Sequence, residues 1–566
     1  MIYDKSPGSV HSLYVSAHEY YRLTGCFILL VNWRASFISF ETAFQTQWIM
    51  RKYTLQLLLI IFSSFSLHAH SLSDSTGTFA VRGFHLDLRI QVMTMPALRA
   101  FATRLHELGM NTLIMEWEGT FPFEKHPAIP NRYAYTKDEV TSFIGYCKSL
   151  GIDVIPLQQS FGHVEYILRN YRYKDLREDQ ENYSQVCPMK PDLDKALFRD
   201  LFAELASMHP SKYIHIGGDE TYLLGHCPIC SREAARVGKS RLYIDYIKML
   251  CELVIQMGKR PLVWADIGLK YPEAIKLLPK ETIFVDWNYG WDMNRFGDHD
   301  KLMQSGYEIW GACSMRSHPD NYFLTQWQKH FQNIHDFIPA ARKLGYRGMI
   351  MTSWSTSGQY DALHQSESDI FNLYAIRHVY PISGFNILLT AFGEAVSSDQ
   401  PLHIQEFIIE YAHEQYGLDP AEAARFWRAL NKANVEVSQG KVMSKDSLSI
   451  GSLLDSAKST LNDLKDLQPR KNKLEFDQYR LMTAIRVQYL TYESIQSFLN
   501  SNSFNVAQYP ETVSKLEALK NDASEIDQWF QQLNGAYLYP GEIDEENELR
   551  NLKINELLYK LDRRRN

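Results

Sequence analysis

Ile214-His215-Ile216-Gly217-Gly218-Asp219-Glu220 is a short apolar run that passes through two glycines into two adjacent carboxylates. It reads as a strand ending in a turn. Neighbouring side chains on a strand face opposite ways, so both acids reach one pocket only where the strand gives way. Glycines at that point let the backbone turn sharply and approach a ligand. A barrel strand with such an ending is where enzymes of that architecture keep their chemistry. The plain alternative is a solvated acidic turn. His215, the paired glycines and the apolar run-in from Tyr213 weigh against it.

Working outward, apolar runs alternate with helical periodicity from residue 78 onward. The strand candidates are 84–88, 112–117, 153–157, 213–217, 262–265, 283–287, 308–312 and 349–353. Helical spacing marks 95–108, 137–150, 195–208, 243–257 and 327–344, and Gly109, Gly151, Gly258 and Gly345 stand just past four of these as stop signals. Eight strands alternating with helices predict an α/β chain with a (β/α)8 TIM barrel over residues 80–395. An open doubly wound sheet is the competing architecture. No glycine-rich phosphate loop follows the first strand, which weighs against its nucleotide-binding forms.

Beyond residue 400 the spacing turns helical, at 402–416, 420–435, 450–467, 476–499 and 513–533. Residues 400–566 are therefore expected to form a helical C-terminal domain. At the other end, Met50-Arg51-Lys52, the apolar run Leu57-Leu58-Leu59-Ile60-Ile61-Phe62 and the small-residue exit at Ala69 have the layout of a signal peptide over 50–69. The run is too short for a comfortable membrane span. Residues 1–49 are read as a non-native upstream extension, with a genuine extension carrying an anchor helix as the alternative. Export to the periplasm or the extracellular space is the expectation.

A length of 566 residues suggests two domains. The net charge of −7 leaves no nucleic-acid or anionic-membrane footprint. No membrane association is expected after signal cleavage, and monomer and homodimer both stay open.

Polar and aromatic residues collect at the ends of the other strands: Glu116-Trp117-Glu118, Phe161-Gly162-His163, Trp264-Ala265-Asp266, Asp286-Trp287-Asn288-Tyr289 and Ser353-Trp354. All fall on the functional rim of the expected barrel. Acids and a histidine grip hydroxyls, and aromatic faces cover the apolar side of a sugar ring, so the rim describes a carbohydrate pocket.

His215 to Glu220, His-x-Gly-Gly-Asp-Glu, resembles the signature of family 20 glycoside hydrolases, the β-N-acetylhexosaminidases, and within them the hexosaminidase D branch. Arg82-Gly83-Phe84-His85-Leu86-Asp87, Phe161-Gly162-His163, Leu262-Val263-Trp264-Ala265-Asp266 and Ser353-Trp354 are similar in kind and order, over about residues 80–360. The resemblance implies a retaining exo-β-N-acetylhexosaminidase that removes terminal GlcNAc or GalNAc from glycans, with no cofactor and no metal. Most retaining glycosidases place a nucleophilic carboxylate about 5–5.5 Å from the acid; this family is among the exceptions in which the substrate's own 2-acetamido oxygen attacks. Glu220 would be the general acid and Asp219 would orient the acetamido group. A shielded pair of adjacent acids should raise the proton affinity of one. Arg82 would hold outer hydroxyls. Trp264, Trp287 and Trp354 would wall the sugar, and Tyr289 would donate to the acetamido oxygen. His163, Glu118 and His215 would stand behind the pair, the first two as a relay to Glu220.

Three departures stand out. Only residues 70–80 lie between the expected cleavage site and the first strand, which leaves no room for the small α/β domain usual before the barrel. The glutamate usual soon after the last-strand tryptophan is missing, and Asp361 is its candidate replacement. At strand two the usual Asp is replaced by the Glu116–Glu118 region.

Cys227-Pro228-Ile229-Cys230 follows the acids closely. With His226 it offers three local zinc ligands where four are needed, so a disulfide or free thiols is the preferred reading. Two rival functions remain: a metal-dependent barrel hydrolase using Glu116, Glu118, His163, His215 and Asp219, and a non-catalytic sugar-binding relative.

Overall fold

Eight parallel strands close on themselves: β1 (Val81–Asp87), β2 (Thr112–Glu116), β3 (Asp153–Leu157), β4 (Tyr213–His215), β5 (Arg260–Trp264), β6 (Ile283–Trp287), β7 (Glu308–Arg316) and β8 (Gly348–Ser353). Val81 pairs with Gly348 and His85 with Thr352, so β8 returns to β1 and no sheet edge is left. The computed structural model describes residues 79–355 and 379–562, apart from 318, 319, 321, 322, 433, 439, 445 and 446. The expected signal segment 50–69, the stretch 1–49 and Asp361 lie outside the described residues. The closed barrel replaces the doubly wound alternative.

Local sequence explains the alternation. The helix Met95–Glu107 starts at Thr94, whose hydroxyl accepts the Ala97 N–H, and has Pro96 in its first turn. It buries Ala97, Leu98, Phe101, Ala102 and Leu105, one face at helical spacing. The helix Lys137–Ser149 starts with a capping box between Thr136 and Glu139. Both helices end in a glycine at φ +74°, Gly109 and Gly151. Each fully buried Leu or Phe on these faces contributes about 1.5–3 kcal/mol. Inside the barrel, Ile114, Ile155, Leu262, Ile283, Val285, Trp310 and Ile350 form a separate apolar cluster, so the barrel is filled rather than open.

The C-terminal helices Asn386–Ser397, Ile404–Tyr416, Pro420–Asn431, Ile450–Asp466, Lys473–Leu499, Tyr509–Asn534 and Pro540–Asp562 follow. The last of these was not expected from the sequence. They share the large core of the barrel's outer layer, and residues 76–566 form one compact unit. The junction is polar and buried. Arg316, at the end of β7, donates to Ser353 Oγ (2.7 Å), Gln91 Oε1 (2.5 Å) and the Tyr380 carbonyl (2.8 Å). Gln91 in turn donates to Glu546 Oε1 on the last helix (3.2 Å). Met93 and Leu538 form an antiparallel bridge beside it. Among the described residues, no helix is long and apolar enough to cross a membrane.

Candidate active site

β4 stops at His215, two residues short of the expected strand end, because the glycines that follow leave the strand conformation. Gly217 has φ +71° and Gly218 φ +97°. A Cβ on Gly217 would sit 2.0 Å from Gln159 Oε1, so a larger residue would displace that buried amide and strain the left-handed backbone. The turn delivers Asp219 and Glu220 above the barrel, and Glu220 itself holds φ +44°. The loop after β3 packs closely alongside: a Cβ on Gly162 would lie 2.6 Å from the Asp219 carbonyl. Among the described residues, four non-glycines have positive φ, and three of them, Glu118, His163 and Glu220, follow β2, β3 and β4. Such conformations cost on the order of 1–3 kcal/mol each and concentrate where function demands them.

His163 joins the two acids. Its Nε2 lies 3.4 Å from Asp219 Oδ2 and 3.4 Å from Glu220 Oε2. Burial opposes a charge on this imidazole, but the Asp219 and Glu220 carboxylates outweigh it and hold its pKa well above the ordinary histidine value. Asp219 Oδ1 is buried and has no hydrogen-bond partner. Glu220 is more open, and its Oε1 accepts the Tyr222 hydroxyl at 2.7 Å. The Glu220 N–H donates to Asp266 Oδ2 at 3.3 Å. Burial, then the Asp219 and Glu220 charges, push the Asp266 carboxyl up to about 8. Near neutral pH Asp266 is therefore a neutral acid behind the pair.

A second network lies beneath. Arg89 donates to Glu116 Oε1 (2.8 Å) and lies 3.2 Å from Glu118 Oε1, with its backbone N–H on Asp87 Oδ1 (2.7 Å). Glu116 also meets His85 Nε2 at 2.8 Å. Burial raises the Glu116 pKa, but Arg89, His85 and Gln159 hold it well below the usual carboxylate range. Glu118 goes the other way: burial raises it well above that range, against Arg89.

The aromatic residues pack against this network, with Trp354 4.5 Å from His85, ring to ring, and Arg89 over its face. Trp354 Nε1 donates to the Tyr289 hydroxyl at 2.9 Å. Trp287 lies 5.1 Å from Tyr289 and 5.3 Å from Trp291, ring to ring. Trp264 is only 1% exposed and packs 5.8 Å from Trp354 and 4.4 Å from His215, which makes it the floor of this box rather than an open wall. Burial raises the Tyr289 pKa, so its hydroxyl stays protonated.

Several expectations need correction. Arg82 pairs with Met349 near the start of β1, at the bottom of the barrel. Its guanidinium donates to the Gly109 and Phe79 carbonyls, both at 2.9 Å, so it cannot reach a sugar at the rim. Arg89, just past β1, is the rim arginine. Glu118 lies against Arg89 rather than completing a relay from His163 to Glu220. His215 accepts the Gly217 N–H on Nδ1 (3.1 Å) and is pushed down to about 3 by burial, so it is a neutral support for the turn. The five ligands of the metal-hydrolase rival do not converge: Glu116 is held by His85 and Arg89, His215 by Gly217, and Asp219 by His163.

Sequence reasoning missed Arg89, the assignment of Asp266, Tyr222 and Trp291. The strand run at 84–88 already placed Arg82 before the strand and Arg89 after it, which was the available signal. Tyr222 carried none.

The family model described as glycosyl hydrolase family 20, catalytic domain, matches residues 86–370, half of the chain. The chain belongs to glycosyl hydrolase family 20 and is a glycoside hydrolase of the hexosaminidase type. Among its relatives, hexosaminidase D of Bos taurus is 26% identical over 303 residues, covering 50% of this chain and 86% of that protein. Hexosaminidase D of Homo sapiens is 26% identical over 311 residues, covering 52% of this chain and 63% of that protein. A solved β-N-acetylhexosaminidase from Bacteroides fragilis is 19% identical with a TM-score of 0.45, covering 59% of this chain and 69% of that one.

Proposed function

We propose that the chain is a retaining exo-β-N-acetylhexosaminidase that removes terminal GlcNAc or GalNAc by substrate-assisted catalysis. The observation that carries this reading is Asp219: its Oδ2 is held by His163, and its Oδ1 is buried without a partner beside Glu220. A buried acceptor without a donor is costly, by about 1–3 kcal/mol. The N–H of a 2-acetamido group is a donor of the right kind.

In the first step the acetamido carbonyl oxygen attacks the anomeric carbon as the glycosidic bond breaks. Glu220 gives its proton to the departing oxygen. Asp219 accepts the amide N–H and stabilises the positive charge that grows on the oxazolinium ring. In the second step Glu220, now ionised, takes a proton from water, and that water opens the ring at the anomeric carbon from the face the leaving group left. Two displacements retain the β configuration. Tyr289 can donate to the attacking carbonyl oxygen, and the Trp287–Trp354 box covers the sugar's apolar face. The buried His163 Nε2, 3.4 Å from Asp219 Oδ2, holds that carboxylate in place behind the acetamido group.

Export is part of the same proposal and rests on the basic, apolar and small-residue layout of residues 50–69; N-terminal sequencing of secreted protein tests it. For the chemistry, proton NMR during hydrolysis of an aryl N-acetyl-β-D-glucosaminide is expected to show the β-anomer first. First appearance of the α-anomer would refute retention.

A further inference from the structure

The loops that carry His163 and the Asp219–Glu220 pair are tied together behind the rim by sulfur. Cys187 Sγ lies 3.4 Å from Cys230 Sγ and 3.7 Å from Cys227 Sγ. Glu178 completes the group, and the four candidate ligand atoms lie within 4.8 Å of one another. Glu178, Cys187 and Cys230 are buried, and Cys227 is half-buried. Glu178 Oε1 accepts the Cys227 N–H at 2.8 Å, while Glu178 Oε2 is buried with no hydrogen-bond partner. The local histidine is not part of the group: His226 turns outward to Asp179, at 3.1 Å.

We propose that Glu178, Cys187, Cys227 and Cys230 form a structural zinc site. Four-coordinate zinc with three thiolates and one carboxylate is closed, leaving no position for substrate. Zn–S bonds of about 2.3 Å put tetrahedral sulfurs about 3.8 Å apart, close to the two separations observed. A disulfide, with its sulfurs about 2.05 Å apart, would join two of the three sulfurs and leave Glu178 Oε2 buried without a partner. Cys187, Cys227 and Cys230 carry no disulfide, which leaves the free-thiol half of the sequence expectation and three sulfurs available as ligands. Cys227 also caps the helix Pro228–Val237, its Sγ accepting the Cys230 N–H at 3.4 Å, which fixes the sulfur's position. On binding, each thiol releases its proton to solvent as its Zn–S bond forms, and no electrons move.

The position gives the site a purpose. Val186, beside Cys187, donates its N–H to the Phe161 carbonyl (3.1 Å), two residues before His163. Gln185 Oε1 accepts the Leu223 N–H (3.0 Å), three residues after Glu220. A cation holding Cys187 against Cys227 and Cys230 fixes the β3 loop to the β4 loop, and so His163 to the catalytic pair. Only two of the four ligands are neighbours in sequence, which is why the sequence alone pointed to a disulfide or free thiols.

The test is metal analysis of the full chain, purified without chelator, kept reduced, equilibrated with zinc and desalted. About one zinc per chain is expected. Cobalt exchanged into the same protein should show the near-ultraviolet thiolate-to-cobalt band together with the visible bands of tetrahedral cobalt. Cys187→Ser and Glu178→Gln should each lower zinc retention against a chelator. If those variants fail to fold, the zinc content and cobalt spectrum of the unmutated chain decide. Zinc far below the protein content, cobalt without a thiolate band, or a mapped disulfide between any two of the three cysteines would overturn the site. None of these readouts needs turnover, so their failure would leave the hydrolase reading standing.

Discussion

His163 Nε2 stands 3.4 Å from Glu220 Oε2, and Asp219 Oδ2 lies at the same distance from the same nitrogen. One imidazole thus touches both carboxylates, the proposed proton donor and the proposed acetamido partner. His163→Asn should lower kcat about 10²-fold on substrates with poor leaving groups and much less on activated aryl glycosides, as expected when proton donation is weakened. The stability effect has a sign. The folded pKa is raised by the two acids, so the stabilisation is fully present below the unfolded value of about 6.5 and is lost as pH rises through the folded one. Urea titrations should show the gap between wild type and variant narrowing at alkaline pH.

Asp266 supplies a second pH signature. Its carboxyl is pushed from the usual 3.8 to about 8 by burial and by Asp219 and Glu220. Between those values the folded chain keeps a proton that the unfolded chain has released, so this group's contribution to stability falls as pH rises from about 4 to about 8. Above that range a third charge appears beside the pair. Asp266→Asn keeps an acceptor for the Glu220 N–H and cannot ionise. Its kcat/KM profile should lose or shift upward the alkaline limb near pH 8, while activity near pH 6 stays within about tenfold. An unchanged alkaline limb would assign it to another group.

Arg82, within β1, and Arg89, just past its end, separate cleanly. Arg82→Ala should leave kcat/KM within about threefold, since its guanidinium caps carbonyls at the barrel bottom. Arg89→Ala should cost about 3–5 kcal/mol of stability, because it leaves Glu116 buried without its cation, and should sharply lower kcat/KM in whatever protein folds. Thermal unfolding and steady-state rates on both variants check this, and the reverse order would restore the original assignment.

Gly217→Ala should be destabilising by about 2–4 kcal/mol, from left-handed backbone strain and overlap with Gln159. Gly145→Ala, in the helix Lys137–Ser149 with open space around it, should be neutral or stabilising by up to about 1 kcal/mol. Chemical denaturation of both variants distinguishes a required turn from a general intolerance of alanine.

These residues also show how far the sequence could be read. The barrel was legible because its signals are local: 153–157 and 283–287 were expected as strands and stand at those positions, and the helix Trp327–Leu344 has its expected limits. Asp219, Glu220 and His163 were legible because glycines and strand ends marked them. What the sequence hid depends on distant neighbours. Arg89 owes its place to Glu116 on the next strand, and Asp266 is a neutral acid only because two other acids crowd it. Cys187 and Glu178 join Cys227 and Cys230 across more than 35 positions of chain. The helix Pro540–Asp562 was missed because Tyr539-Pro540-Gly541 looked like punctuation, whereas the proline occupies the helix's first position, where it is well tolerated.

The central claim is that the sugar's own amide supplies the nucleophile. The most direct measurement compares kcat/KM of the purified chain on p-nitrophenyl N-acetyl-β-D-glucosaminide and on p-nitrophenyl β-D-glucoside, which lacks the amide. A preference of at least about 10³ for the first is predicted, since a well-placed internal nucleophile has an effective concentration of about 10⁵ M or more. Comparable rates on the two, or a sugar ester trapped on one of the chain's carboxylates, would contradict it.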